Sequence, residues 1–365
     1  MMKKIILLIS ICVVCFVGFS QNTNYKLYID IDDNNNGCLR YDLFLNGVQI
    51  SSSKQSSDFS MLMSDSESIS VHFENLNDEE LHIAINEFTD EMVLKVKEIY
   101  FAFSSLNKSV DVAPISKFKN LELLSFQNPS NIDVKQKLLL HNIEELCKLQ
   151  NLVYLSLPNT NVNQSFKICC FESLKFLDVS FSNIDVEWQL MKNCSSLKHL
   201  IFGNINNKIV SEFIAEIASN KTLNELTLIV QNSKQMQLLS SFSGIEKINL
   251  VFGFSISEKK LDETFVSLSK VDNLKSLHIK ADSQKRAIRK IPESIQMLQD
   301  IEELSIDFPL SEIDNLSIKK LKLLRLYISN SHYLLDGQLE SFKKRNPDVE
   351  IIFENDVFKL STTIN

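Results

Sequence analysis

The sequence predicts an α/β solenoid of about ten stacked units, each a short strand with a helical or irregular return, behind a small β-rich module. Three observations carry this. An apolar-x-x-apolar-x-apolar motif recurs ten times in order between Val96 and Leu326, with starts roughly 25 residues apart on average. A period of that length signals stacked units rather than one globular core. Between the motifs, apolar residues fall at helical spacing, as in Ile209, Val210, Phe213, Ile214 and Ile217, and again in Leu261, Phe265 and Leu268. Finally, the 365 residues are 44% hydrophobic and 23% charged, enough for a sizeable core and unlike a disordered chain.

The first 20 residues read as a processing signal. Met1-Met2-Lys3-Lys4 is basic, and Ile5 to Phe19 is an almost unbroken apolar run. Gly18 and Ser20 put small residues at −3 and −1 of a cut before Gln21. The run is short for a membrane span. The expectation is a signal peptide over 1–20, no membrane-spanning segment in the mature chain, and a secreted or periplasmic (cell-envelope) location. With 38 basic and 46 acidic residues the chain carries −8; losing Lys3 and Lys4 makes it −10. That balance argues against a nucleic-acid partner, whose phosphates need cations. Only seven glycines occur, so glycine-rich phosphate loops have little raw material.

Residues 21–90 lack the repeat and read as a β-rich module capping the first unit. Tyr25–Ile31 and Arg40–Ile50 look like strands, with Asn46-Gly47 as a hairpin turn. Ser68–Phe73 and Leu81–Phe88 suggest a third and a fourth. Asp32-x-Asn34-x-Asn36-Gly37 matches the first half of a calcium loop, but Leu43 stands where the twelfth-position glutamate belongs. Two readings stay open for Asp32, Asn34 and Asn36: a polar connection between strands, or a calcium site. No other cofactor is indicated.

The repeat region spans residues 91–358 with its C-terminal cap, leaving 359–365 as a tail. Its motifs include Leu121-x-x-Leu124-x-Phe126, Leu152-x-x-Leu155-x-Leu157 and Leu174-x-x-Leu177-x-Val179. The fourth and sixth positions flank one variable residue, which is strand periodicity and turns both to one side. A unit cannot bury that side alone, so units must stack. Tyr333–Lys344 reads as a last helix, stopped by Asn346-Pro347, and Val349–Phe353 as a closing strand. Beyond the leader, the five cysteines are Cys38, Cys147, Cys169, Cys170 and Cys194. They read as buried small hydrophobes, or as one disulfide from Cys169 or Cys170 to Cys194.

This pattern resembles the leucine-rich repeat family; the stretch Leu149-Gln150-Asn151-Leu152-Val153-Tyr154-Leu155-Ser156-Leu157 is similar to a consensus unit. The resemblance implies a horseshoe whose parallel sheet lines the concave face. It also implies an asparagine at the ninth position of each unit, bonded to neighbouring backbone. None occurs there; Thr160 and Ser182, which stand at two of these positions, could meet part of the same need.

On that geometry the third and fifth positions of each motif face the concavity. Leu123, Tyr154, Phe176 and His199 occupy the third, Asp178 and Ile201 the fifth. These six are the candidate ligand-binding residues, with a cluster of exposed aromatics expected over neighbouring strands. Cover by the N-terminal module or by a long return loop is the alternative. No H-E-x-x-H, G-x-S-x-G or phosphate loop occurs, and the six histidines are scattered. The expectation is therefore no enzyme, but a module that binds a protein or peptide. The alternative is a carbohydrate or surface-polymer binder, calcium-assisted, with Tyr154 and Phe176 stacking on sugar rings.

Overall fold

The structure, a computed structural model, describes residues 25–32, 38–45, 48–53, 68–74, 76–103, 109–127, 137–162, 170–182, 194–203, 217–230, 238–242, 244–253, 255–281, 288–327, 334–335 and 337–354. Residues 1–20, Asn34, Asn36, Cys169, the stripe from Ile209 to Ile214 and residues 359–365 lie outside them.

The chain opens with β1 (Tyr25–Asp32), β2 (Cys38–Leu45) and β3 (Val48–Ser53), an antiparallel ribbon whose β2–β3 register closes across residues 46 and 47. β4 (Ile69–Glu74) pairs parallel with β1 and with β5 (Val96–Ala102). β6 (Ser109–Asp111), β7 (Leu123–Gln127), β8 (Leu138–His141), β9 (Tyr154–Ser156), β10 (Thr160–Val162) and β11 (Phe176–Asp178) follow. Next come β12 (His199–Gly203), β13 (Glu225–Val230), β14 (Lys247–Phe252) and β15 (Ser276–Ala281). β16 (Ile288–Lys290), β17 (Glu303–Asp307), β18 (Leu310–Glu312), β19 (Leu323–Tyr327) and β20 (Glu350–Glu354) complete the order.

Fifteen of these strands form one sheet, ordered β20-β19-β17-β15-β14-β13-β12-β11-β9-β7-β5-β4-β1-β2-β3. Every neighbouring pair from β1 to β20 is parallel; only β1–β2 and β2–β3 run antiparallel. Each of the ten motifs supplies a strand of this sheet. β4 and β20 flank them, so the sheet runs unbroken from the module into the repeats. Small parallel pairings, β10-β8-β6 and β16-β18, bind the returns of successive units.

Alternation along each strand sorts the side chains. The fourth-position residues Ile99, Leu124, Leu155, Leu177, Leu200, Leu226, Ile248, Leu277, Leu304 and Leu324 are all wholly buried. Sixth positions lie beside them. At the N-terminal end these are aromatic: Phe101 stacks on Phe73 of β4 (5.1 Å) and on Phe126 of β7 (4.6 Å). The third and fifth positions fall on the opposite, concave face. Gly203 closes β12 where a Cβ would stand 2.4 Å from the Ile229 Cβ, so only glycine lets these backbones approach.

Leu81–Phe88 is not the strand its alternation suggested. Asp78–Asn86 forms helix α1, started by a capping box in which Asn77 Oδ1 accepts from the Glu80 amide (3.0 Å) and Asn77 N donates to Glu80 Oε2 (2.7 Å). Its buried residues, Leu81, Ala84 and Ile85, follow helical spacing. A short α2 (Asp90–Lys95), capped by Thr89, and α3 (Glu258–Leu268), burying Leu261, Phe265 and Leu268, fill other returns. The last helix, α4, spans Gln338–Arg345 and so begins later than Tyr333. Gly337 at φ 79° turns the chain just before it, a conformation no helix interior admits.

One covalent detail differs from expectation and one polar detail meets it. Cys170 pairs with Cys147 (Cα–Cα 5.3 Å), not with Cys194, whose buried side chain takes no part in the bond. Units stack in register, which brings these two cysteines of consecutive units together, each just ahead of its strand. Thr160 and Ser182 do serve neighbouring backbone: both hydroxyls donate to the Leu157 carbonyl, at 2.9 and 2.5 Å. Amides elsewhere do similar work. Just before their strands, Asn120 donates to Leu94 O (2.8 Å) and Asn151 to Lys119 O (3.1 Å), each tying its unit to the preceding one.

Candidate functional site

Parallel register brings the six candidate residues into two adjacent columns on the concave face. Leu123, Tyr154, Phe176 and His199 are successive Cα partners, and the column continues into Glu225 and Lys247. Ser156, Asp178, Ile201, Thr227 and Asn249 form the second. Asp32 ends β1, and residues 33–37 join two antiparallel strands. Among the described residues no group of three His, Cys, Asp or Glu could hold a metal ion.

The aromatics are gathered but not laid open. Tyr154 is 8% exposed, Leu123 5% and Ile201 3%, while Phe176 and His199 are half-buried. Strand spacing explains this. Rings in register on strands about 4.8 Å apart lie against one another and cover each other's faces. Tyr154 and Phe176 stack at 4.0 Å with 5° between planes, and Phe176 meets His199 edge-on at 4.8 Å and 86°.

A polar network extends the row. His199 Nε2 lies 3.0 Å from Thr227 Oγ1 and 3.7 Å from Glu225 Oε1. Lys247 Nζ sits 2.9 Å from the same carboxylate, and Asn249 Nδ2 donates to Glu225 (3.0 Å) and to Thr227 (2.9 Å). Farther along, Arg325 pairs with Glu303 at 3.0 Å. These partners stood in the third and fifth positions but carried no aromatic signal to single them out. At the other end His72 stacks on Tyr100 (4.7 Å), whose hydroxyl donates to Glu98 (3.2 Å). β4 lacks the full motif, so only the alternation of Val71 and Phe73 marks His72 as facing this way.

Burial sets the charge states. It holds the Asp178 carboxyl above the usual carboxylate range, against hydrogen bonds from Ser180 N (2.8 Å) and Ser156 Oγ (3.3 Å) that favour the charged form. Burial, with the nearby Asp178, also pushes the Tyr154 phenol up. It pulls His199 down to about 4, Glu225 opposing and Lys247 adding, and pulls His278 down to about 3, with Lys280, Lys247 and Arg325 adding.

Linkage turns the His199 shift into a measurable slope. Between pH 6.5 and about 4 the unfolded histidine takes a proton that the folded one refuses, so stability falls as pH falls through that window. Urea midpoints at pH 7 and pH 4.5 should show wild type losing about 2 kcal/mol more than His199→Gln. Equal losses would mean that His199 is not held neutral.

Thr227, His199 and Glu225 have the residue types of a hydrolytic triad but not its arrangement. Both partners approach Nε2, whereas a triad needs the carboxylate on the other ring nitrogen to orient the base.

No family model and no curated protein matches the sequence. Among solved structures, the chain is similar to an internalin (InlF) of Listeria monocytogenes at 13% identity, covering 73% of this chain and 78% of that one, with TM-score 0.38. Internalin C2 of the same organism aligns at 15% identity over 50% of this chain and 74% of its own, with TM-score 0.31. A leucine-rich repeat protein of Leptospira interrogans aligns at 16% identity over 80% and 91%, with TM-score 0.29. The strand register, not these likenesses, carries the fold.

Proposed function

We propose, from the premise that the chain is a leucine-rich repeat solenoid, that it is an exported, non-catalytic module binding a protein or peptide through its concave face. In this reading a signal peptide over 1–20 precedes a capping module to about residue 90 and repeats to about 358. The observation that carries the reading is the row Tyr154, Phe176, His199, Glu225 and Lys247. Five consecutive strands present it, and stacking and hydrogen bonds fix its side chains before any ligand arrives. Side chains already ordered lose little entropy on binding. The Cys147–Cys170 bond suits an oxidising compartment outside the cytoplasm. Among the described residues no helix is long and apolar enough to cross a membrane.

Sugar recognition is less well served. Stacking on a pyranose needs an open aromatic face, and Tyr154 and Phe176 turn theirs on each other.

The test uses residues 21–365 as bait against surface and extracellular material, beside Tyr154→Ala/Phe176→Ala. A partner held by wild type should bind the double variant at least 30-fold more weakly by calorimetry, the loss of about 2 kcal/mol typical of a central anchor. Circular dichroism must show the variant folded. Equal affinity would move the binding surface elsewhere.

A further inference from the structure

We propose that the Cys147–Cys170 disulfide is a positioning element for the recognition row, setting the Tyr154–Phe176 stack in place; the proposal rests on the concave-face reading above. The bond joins the two consecutive units that carry the two rings. Cys147 lies in the 3₁₀ turn Ile143–Lys148 seven residues before Tyr154, and Cys170 stands six residues before Phe176. Tyr154 and Phe176 are direct Cα partners, so the covalent link and the ring contact bridge the same inter-unit step.

That step has little regular strand to hold it. β9 and β11 have three residues each, the shortest strands of the fifteen-stranded sheet, where the others have five to eight. Just beyond them two backbone bonds outside regular strand cross the same step, from Leu157 N to Asp178 O (2.8 Å) and from Asn159 N to Ser180 O (2.7 Å). Neighbouring strands ordinarily rotate by about 20° relative to one another. The rings lie 5° from parallel, as Phe101 and Phe126 do at 4° with no disulfide beside them; what sets this pair apart is its closeness, 4.0 Å against 4.6 Å. A contact that close tolerates little sliding between units. The disulfide sets the Cα atoms 5.3 Å apart in the returns that lead into the two strands, close to the strand spacing of about 4.8 Å, and so restrains the inter-unit step that carries the rings. The effect on binding is preorganisation, not a contact with the partner.

The experiment reads the stack without any ligand. The chain is labelled with 3-fluorotyrosine; it has seven tyrosines, and the Tyr154 resonance is assigned by its loss in Tyr154→Phe. Phe176→Leu gives the position of an unstacked Tyr154. In Cys147→Ser/Cys170→Ser, still folded by circular dichroism, the Tyr154 signal should move at least halfway to that position while the other six stay within their linewidths. An unmoved signal would overturn the proposal and leave the bond a stabilising staple. Should the double variant not fold, the oxidised protein is reduced with a phosphine under native conditions. A Tyr154 shift preceding loss of the far-ultraviolet signal supports positioning, and simultaneous loss overturns it. Failure of the concave-face reading would show separately, as a normal cysteine-dependent shift in a protein whose partner ignores Tyr154 and Phe176.

Discussion

Leu155→Asp is expected to unfold the repeats that neighbour it. Leu155 occupies the fourth position of its motif, is wholly buried, and lies between Leu124 and Leu177 as Cα partner of both. An aspartate there loses the leucine's packing, about 2–5 kcal/mol, and adds an uncompensated charge worth several more. The sum rivals the whole stability of an ordinary domain, about 5–15 kcal/mol. In a solenoid each unit leans on its neighbours, so the break separates the two flanking segments. Limited proteolysis should cut the variant in the units around residue 155, while Lys175→Asp, an exposed change one strand away, should behave as wild type. A soluble Leu155→Asp protein with unchanged melting would overturn the register of the whole repeat.

Phe101→Ala is expected to cost about 3–5 kcal/mol, the range for emptying a buried aromatic site. Phe101 is 1% exposed and contacts three rings, Phe73 before it in the sheet, Phe126 after it, and Phe103 at 6.1 Å. No single neighbour can close the gap without abandoning another. Because Phe73 belongs to β4 and Phe126 to β7, the loss should lower one common transition. Urea unfolding followed by circular dichroism and by Trp188 fluorescence should give coincident, shifted midpoints. A cost below 1 kcal/mol would mean that the three rings do not share a core.

Much of this fold was legible because the signal is local and repeated. Leu-x-x-Leu-x-Leu fixes which side chains point inward within six residues, and stacking follows from each unit's inability to bury them alone. The misreadings fall where local patterns are ambiguous. Leu81–Phe88 alternates well enough for a strand, and the capping pair Asn77 and Glu80, which decides for a helix, lies outside that window. The aromatic cluster was legible as a set of positions. Its exposure was not, because whether a ring on the concave face is open depends on what the next strand places beside it.

The repeat period, the inward and outward faces, and which residues share a column are written in the chain itself, since all follow from strand periodicity applied to one motif. The stacking of units was needed to see that Cys147 bonds Cys170, that Tyr154 and Phe176 cover each other, and that the sheet continues into the N-terminal strands. The physical reason is common to all three. Each depends on the distance between units that are more than 20 residues apart along the chain but one strand apart in space, and no local pattern encodes that distance.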